Sequence, residues 1–265
     1  MSHVDSYRTN EAYADFLEGW DPDFFSKYIN TLGKEASGSK ILDVGCGVGQ
    51  VVKALREKGL EAQGVDVSEP NIRKANEHVG HCTLYEGNQL PFRDNTFQSV
   101  GAFNVLEHVE EPEAFIRELI RVLKPGGRLV ISSPNFLRVL GFRDYHVRMR
   151  GIPNKWSNAK QLIAILRQIR SAPDRVRFER MPPIIKEPFT PDDDAIVVTN
   201  PLHMRFFVAR EGCHVLSVSC TDRDVSPLIE WALNLPLLKY LWFNSFVVGR
   251  KLTSSQPSED QRPEG

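Results

Sequence analysis

The sequence predicts an α/β protein built on an open, doubly wound sheet, and two observations predict it. From Lys40 onward, short apolar runs of strand length alternate with stretches of helical periodicity. Each switch between the two is marked by a turn or a cap residue. Parallel strands joined by helices need helices on both faces of the sheet, and right-handed crossovers leave few other topologies. Ligands of such sheets bind beyond the carboxyl ends of the strands, at the switch point beside the first strand.

Residues 1–39 read as an N-terminal segment of one or two helices, 23–32 the clearer. Ile41-Leu42-Asp43-Val44 is a buried strand, and residues 45–49 form a turn. Residues 50–58 fit an amphipathic helix with Val51, Val52 and Leu55 inward. Residues 61–66 are a second strand, and Ser68 caps a helix through Glu77. Residues 82–85 and 96–103 are the third and fourth strands. Pro112 opens a helix at its favoured first-turn position, with Phe115, Leu119 and Val122 on one face. Lys124-Pro125-Gly126-Gly127 stops that helix, and residues 128–132 are the fifth strand.

After Pro134 the pattern loosens. A convincing helix spans 158–169 among breakers at Pro153, Pro173, Pro182 and Pro183. A helix at 201–211 ends at Gly212, and strands follow at 214–221 and 242–248. Residues 253–265 are polar and expected to be a disordered tail.

Composition excludes other classes. The chain has 265 residues, 33 Lys and Arg, 34 Asp and Glu, and a formal net charge of −1. With 41% hydrophobic and 25% charged residues it is neither disordered nor a wholly basic nucleic-acid binder. Cys46, Cys82, Cys213 and Cys220 stand far apart without a CxxC pair, so neither a disulfide framework nor a metal site is expected. The start lacks a signal peptide's basic and apolar regions, and the longest uncharged apolar-rich run, 240–249, is too short to span a membrane. A cytoplasmic location is the expectation.

Chemistry concentrates at four places. Gly45, Gly47 and Gly49 after the first strand let the backbone turn sharply and let a ligand lie against the main chain near a helix N-terminus. Such a turn serves NAD, FAD, ATP or S-adenosylmethionine alike, or only a tight turn. Asp66 at the end of the second strand can accept from two ribose hydroxyls, or it can cap the next helix. Glu86-Gly87-Asn88-Gln89-Leu90-Pro91-Phe92 offers an amide to an adenine edge, with Leu90 or Phe92 against the ring, or is simply a polar loop with an apolar anchor. Phe103-Asn104-Val105-Leu106-Glu107-His108-Val109 occupies the strand end nearest any substrate.

In order and spacing, Ile41 through Gly49, Gly64-Val65-Asp66-Val67-Ser68, Leu90-Pro91-Phe92, Val105-Leu106-Glu107-His108-Val109 and Arg121-Val122-Leu123-Lys124-Pro125-Gly126-Gly127 resemble the class I S-adenosylmethionine-dependent methyltransferases, and most their small-molecule "methyltransferase type 11" group. The Leu-Lys-Pro-Gly-Gly stretch separates the pattern from dehydrogenases. The resemblance covers residues 40–135. It implies a Rossmann-like, seven-stranded sheet with an antiparallel last strand, a core at 40–135 and 196–252, and a mainly helical substrate cap inserted at 136–195.

The resemblance also implies the cofactor and its ligands. Asp43 orients the glycine loop near the cofactor's amino group, and Gly45, Cys46, Gly47 and Gly49 form the loop over its methionine part. Asp66 takes the ribose hydroxyls, and Val67, Asn88, Gln89 and Leu90 surround the adenine. Asn88 stands where the family commonly has Asp. Asn104 and Val105 wall the methionine moiety.

His108 is the candidate general base for an O-methylation, with packing at a helix start as the alternative. His146 and His203 read as surface or packing residues. Tyr7 and Tyr13 belong to a segment that lids the cofactor in related folds, though packing of the N-terminal helix is the favoured reading.

Substrate clues lie in the insert. Residues 136–190 carry twelve Lys or Arg and four Asp or Glu, a local charge of +8. Such a cap could hold an anionic acceptor or RNA, or be a solvated face pairing with the acidic body. Only Trp156 and Phe178 interleave the basic residues of 151–180, which disfavours nucleic acid. Leu228, Trp231, Leu235, Leu237, Leu238, Tyr240 and Trp242 read as core, with a greasy entry or a peripheral membrane contact as the alternative. The expectation is methylation of a small, anionic or amphipathic molecule on oxygen. The alternatives are an RNA methyltransferase and an inactive cofactor-binding protein.

Overall fold

The computed structural model describes residues 5–36, 38–141, 144–184 and 192–253. In chain order its elements are α1 (Asp5–Arg8), α2 (Glu11–Glu18), α3 (Ser26–Gly33), β1 (Lys40–Val44), α4 (Gln50–Glu57), β2 (Glu61–Asp66), α5 (Glu69–His78), β3 (Cys82–Leu84) and β4 (Phe97–Phe103). There follow α6 (Pro112–Val122), β5 (Leu123–Pro134), α7 (Gly151–Ser171), β6 (Glu179–Arg180), β7 (Val197–Val198), α8 (Pro201–Arg210), β8 (Cys213–Ser219), α9 (Pro227–Leu233) and β9 (Asn244–Lys251).

Among these residues seven strands form one sheet, in the order β3-β2-β1-β4-β5-β9-β8. The first five pair parallel, and β9 runs antiparallel to both β5 and β8. The expected doubly wound architecture with an antiparallel last strand is what forms. β6 and β7 make a separate two-stranded ribbon.

Both faces of the sheet's centre are covered, so most residues of β1, β4 and β5 are buried whichever way they point. Leu42, Val100 and Leu129 pack under α6 and α8, with Phe115, Leu119 and Phe207. Ile41 and Val130 pack on the other face, with Tyr28, Leu32, Val52, Leu55 and Phe246. At about 1.5–3 kcal/mol for each large side chain removed from water, these two layers dominate the fold's stabilisation. Local signals agree: Ser68 Oγ accepts from the Asn71 N–H at the start of α5, and Asn200 Oδ1 accepts from the His203 N–H at 3.0 Å at the start of α8.

Three expectations need correction. Residues 124–127 are not a free turn before the fifth strand. β5 starts at Leu123, which pairs with Phe97, and the ladder resumes at Arg128 with Ser99. The Pro-Gly-Gly is thus a bulge, with Gly126 at φ +76°. Second, the helix expected at 158–169 runs from Gly151 to Ser171. Pro153 falls in its first turn, where its missing N–H breaks no hydrogen bond. Third, the apolar stretch after Ser226 is core only in part: Leu228, Trp231 and Leu237 are exposed, while Tyr240 packs against the core. The tail expected to be disordered lies, from residue 254, outside the described residues.

The inner face of α7 buries Leu162 and Ile165 in a third cluster with Phe136, Met149 and Leu202. His146 and His203 are buried packing residues, and burial holds His203 down at about 4.

Gly101 in β4 faces Tyr28, whose hydroxyl donates to Asp43 at 2.7 Å. A Cβ at residue 101 would lie 2.1 Å from the Tyr28 hydroxyl oxygen. Gly101→Ala should therefore destabilise the protein by about 2–3 kcal/mol, read as a lowered urea midpoint at unchanged slope.

Candidate active site

The carboxyl ends of β1, β2 and β4 open into one cavity of about 460 Å³, within the size range of small-molecule sites. Its floor is the turn after β1. Gly45, Gly47 and Gly49 have φ of +74°, +52° and +84°, a region that side chains other than glycine rarely enter. The N–H groups of Gly45 and Cys46 both donate to the Val65 carbonyl, and the Gly47 N–H donates to Asp66 Oδ2 at 2.9 Å. Asp66 Oδ1 accepts from the Ser68 N–H and the Asn71 side chain. Burial nonetheless raises the Asp66 pKa.

Val105 presses on this turn from the end of β4. A Cβ at Gly45 would lie 2.2 Å from Val105 Cγ2, so glycine is required there by contact as well as by conformation. Asn104 itself stands at φ +53°, which Asn tolerates better than most residues. Its Oδ1 is buried without a hydrogen-bond partner. Asp43 is also buried, and desolvation pushes its carboxyl up to about 7 against the lowering bond from Tyr28.

The remaining wall is of two kinds. Tyr7, Tyr13, Phe16, Trp20, Phe25 and Phe103 supply an aromatic side. The favoured reading of Tyr7 and Tyr13 as packing residues is thus incomplete, since both line the cavity. His108, Asp192 and Asp194 supply a polar side. Tyr7 donates its hydroxyl proton to Asp194, and the same oxygen lies 3.0 Å from His108 Nδ1. The tautomer of His108 sets which of its ring nitrogens donates and which accepts in this chain.

His108 Nε2 lies 4.0 Å from Oε1 of Glu107, a fully buried carboxylate oxygen without a hydrogen-bond partner. The other Glu107 oxygen accepts from Ser133 Oγ at 2.8 Å. Burial and nearby carboxylates hold the Glu107 pKa well above the usual range, and burial lifts Asp192 to about 7. No metal was expected, yet Glu107, His108 and Asp192 bring donor atoms within 4.8 Å of one another, a set that could hold a divalent cation.

Asp43, Gly45, Cys46, Gly47, Asp66, Val67, Asn88, Asn104, Val105 and His108 thus converge on one cavity. Three expected residues do not reach its wall. Gly49 ends the turn as the N-cap of α4, where an added Cβ would meet Ala75 Cβ at 3.0 Å. Gln89 is exposed outside the lining, and Leu90 is buried in the core cluster that includes Phe97. Phe92 likewise packs on Phe97, so the apolar neighbours for a ring are Val67 and Tyr85. Asp192 and Asp194 escaped notice, although Asp192-Asp193-Asp194, directly after the basic stretch, was a visible signal.

Three of the insert's cations are engaged elsewhere. Arg138 and Lys155 both bind Asp144, and Arg148 binds Glu179. None of the insert's described Lys or Arg residues lines the cavity, whose described wall carries seven carboxylates against Arg8 and His108. Arg143 and Lys186 lie outside the described residues. The expected anionic acceptor held by a basic cap therefore has no counterpart in this wall.

A model described as a methyltransferase domain matches residues 42–131. The ubiquinone biosynthesis O-methyltransferase of Xylella fastidiosa is 30% identical over 174 residues, which cover 54% of this chain and 69% of that protein. The chain belongs to the class I S-adenosylmethionine-dependent methyltransferases. The corresponding Idiomarina loihiensis enzyme is 30% identical over 44% of this chain, and the mitochondrial one of Schizosaccharomyces pombe 38% identical over 37%. The chain spans 55% and 38% of those two proteins' lengths. Among solved structures, an S-adenosylmethionine-dependent methyltransferase from Mesorhizobium loti shares the fold at a TM-score of 0.56 and 16% identity, over 89% of this chain and all of that one.

S-adenosylmethionine, the cofactor of this methyltransferase family, carries an ammonium and a sulfonium. The cavity fits it: an orphaned Asn104 oxygen, two buried carboxylates and a ring of aromatic faces all favour cations. Asp66 offers its carboxylate to hydroxyls, and the Gly45–Val105 contact shapes a cradle that a Cβ would fill.

With Asp43 half-protonated near pH 7, a cofactor ammonium beside it favours the carboxylate, so binding releases a proton. Affinity for S-adenosylmethionine should rise about tenfold from pH 6 to 8, and calorimetry should find this slope flattened in Asp43→Asn. Asp66→Ala should weaken binding about 10–100-fold at any pH.

Proposed function

We propose that this chain transfers the methyl group of S-adenosylmethionine to a hydroxyl oxygen of a small, uncharged or amphipathic molecule. The observation that carries it is the Asp194–Tyr7–His108 chain, which holds an imidazole in the wall of the cofactor cavity. Several relatives are named as O-methyltransferases of ubiquinone biosynthesis, which agrees with an oxygen acceptor.

The cofactor supplies an activated methyl for in-line displacement. The chain's own residues then have three tasks. The glycine turn, Asp66 and the Asn104–Val105 wall fix one reactant, and orientation of this kind accounts for much of such a rate. The rings of Tyr7, Tyr13, Phe16 and Trp20 exclude water and face positive charge. His108 takes the acceptor's proton, and the Asp194 carboxylate, 3.8 Å from its Nδ1, stabilises the imidazolium that results. A carboxylate-lined wall disfavours an acidic acceptor, which separates this reading from the anionic one.

The test is S-adenosylhomocysteine production with a pool of hydroxyl-bearing aromatic compounds. His108→Ala should lower turnover about 100-fold while calorimetric cofactor binding stays unchanged. Its kcat/KM should also lose the acid limb that His108 protonation gives the wild-type pH profile. Unchanged turnover at pH 7 in His108→Ala would remove the base from the account.

A further inference from the structure

The outer face of α7 is used by nothing described so far. Its 21 residues contain Lys155, Lys160, Arg167 and Arg170 and no Asp or Glu. Ile152, Trp156, Ile163 and Leu166 are exposed by 74%, 64%, 50% and 40%. At 100° per residue these four fall within an arc of about 80° on one side of the helix. The buried residues Asn158, Leu162 and Ile165 lie on a separate arc centred about 110° round the helix. Lys155 and Lys160 flank the apolar stripe on either edge, and Arg170 continues it. Lys160, Arg167 and Arg170 make no ion pair among the described residues.

The inner face is anchored, so the helix does not need the outer stripe for its own stability. Leu162 and Ile165 sit in the third apolar cluster, and Asn158 Nδ2 reaches the carbonyls of Phe136, Arg138 and Arg148 at 3.1–3.4 Å. A stripe of Trp, Ile and Leu edged only by cations is the pattern of a helix lying in a lipid–water interface. The apolar side chains enter the acyl boundary, and the Lys and Arg side chains reach out to headgroups. The sign of the flanking charge selects anionic lipid. The comparable exposed residues of α9, Leu228 and Trp231, flank Glu230 and lack that complement.

We propose that α7 seats this protein peripherally on anionic membranes through Ile152, Trp156, Ile163 and Leu166, with Lys160, Arg167 and Arg170 on lipid headgroups. No helix among the described residues is long and apolar enough to cross a membrane, so the contact is of the surface kind. It is independent of the acceptor's identity, although an acceptor dissolved in lipid would be delivered to the enzyme by it.

The test is co-sedimentation of the full chain with vesicles of phosphatidylcholine alone and with about a third phosphatidylglycerol. The wild type should partition onto the anionic vesicles, and raised salt should weaken the binding. Trp156→Glu/Ile163→Glu should bind them more than about tenfold less well, with an unchanged unfolding midpoint and unchanged calorimetric affinity for S-adenosylmethionine. Lys160→Glu/Arg167→Glu should lose the preference for anionic lipid. The proposal is overturned by equal binding of wild type and the Trp156/Ile163 variant, or by no binding at low salt. It is equally overturned if light scattering finds a wild-type dimer that the same variant dissolves, or if poly(U) RNA is bound through the same residues while vesicles are not.

Discussion

Asp66 holds the turn on which the rest of the site depends. Its two oxygens accept from the Gly47 N–H, the Ser68 N–H and the Asn71 side chain. Those bonds join the ends of β1 and β2 to the start of α5. The turn they fix runs through left-handed backbone that glycine alone adopts without strain. Because Gly45 lacks a Cβ, Val105 can close on the turn from β4, and Asn104 is left facing the cavity. One buried carboxylate thus sets where three strand ends meet and where a ligand can lie.

The site's electrostatics follow from the same crowding. Asp43, Asp66, Glu107 and Asp192 are taken out of water near one another, which is costly unless a cation arrives. Their carboxyls are accordingly held above the ordinary range. A cofactor bearing an ammonium and a sulfonium relieves part of that cost, and an imidazolium at His108 relieves more. A cavity so lined selects for positive charge on the cofactor and on the developing base. It is poorly suited to an acceptor bearing its own negative charge.

The sheet was legible because local and global signals coincide. The glycine turn, the Ser68 cap and the Pro112 start each have a local chemical cause, and β1 and β5 contain plain apolar runs, Ile41-Leu42 and Leu129-Val130-Ile131. The departures have physical reasons as well. Lys124-Pro125-Gly126-Gly127 breaks a helix in any context, but whether the chain then turns freely or bulges within a ladder depends on Phe97 and Ser99 across the sheet. Pro153 reads as a breaker until the helix start is known. Leu90 and Phe92 are equally good against an adenine or in a core, and Phe97 decides between them. Asp192 and Asp194 meet His108 only through the fold, 84 residues or more along the chain. The +8 of residues 136–190 reads from sequence either as a cap for an anionic ligand or as a solvated face. Ion pairs to Asp144 and Glu179 absorb part of it, and Lys160, Arg167 and Arg170 lie on α7.

The central claim is that a cofactor cavity with an imidazole in its wall methylates oxygen on a small molecule. Its most direct test is transfer from methyl-labelled S-adenosylmethionine into a protein-free extract, with the product resolved by mass before and after nuclease treatment. The account predicts label in a nuclease-resistant, low-mass compound carrying a new O-methyl group. Label confined to nuclease-sensitive polymer, or cofactor binding without any labelled product, would contradict it.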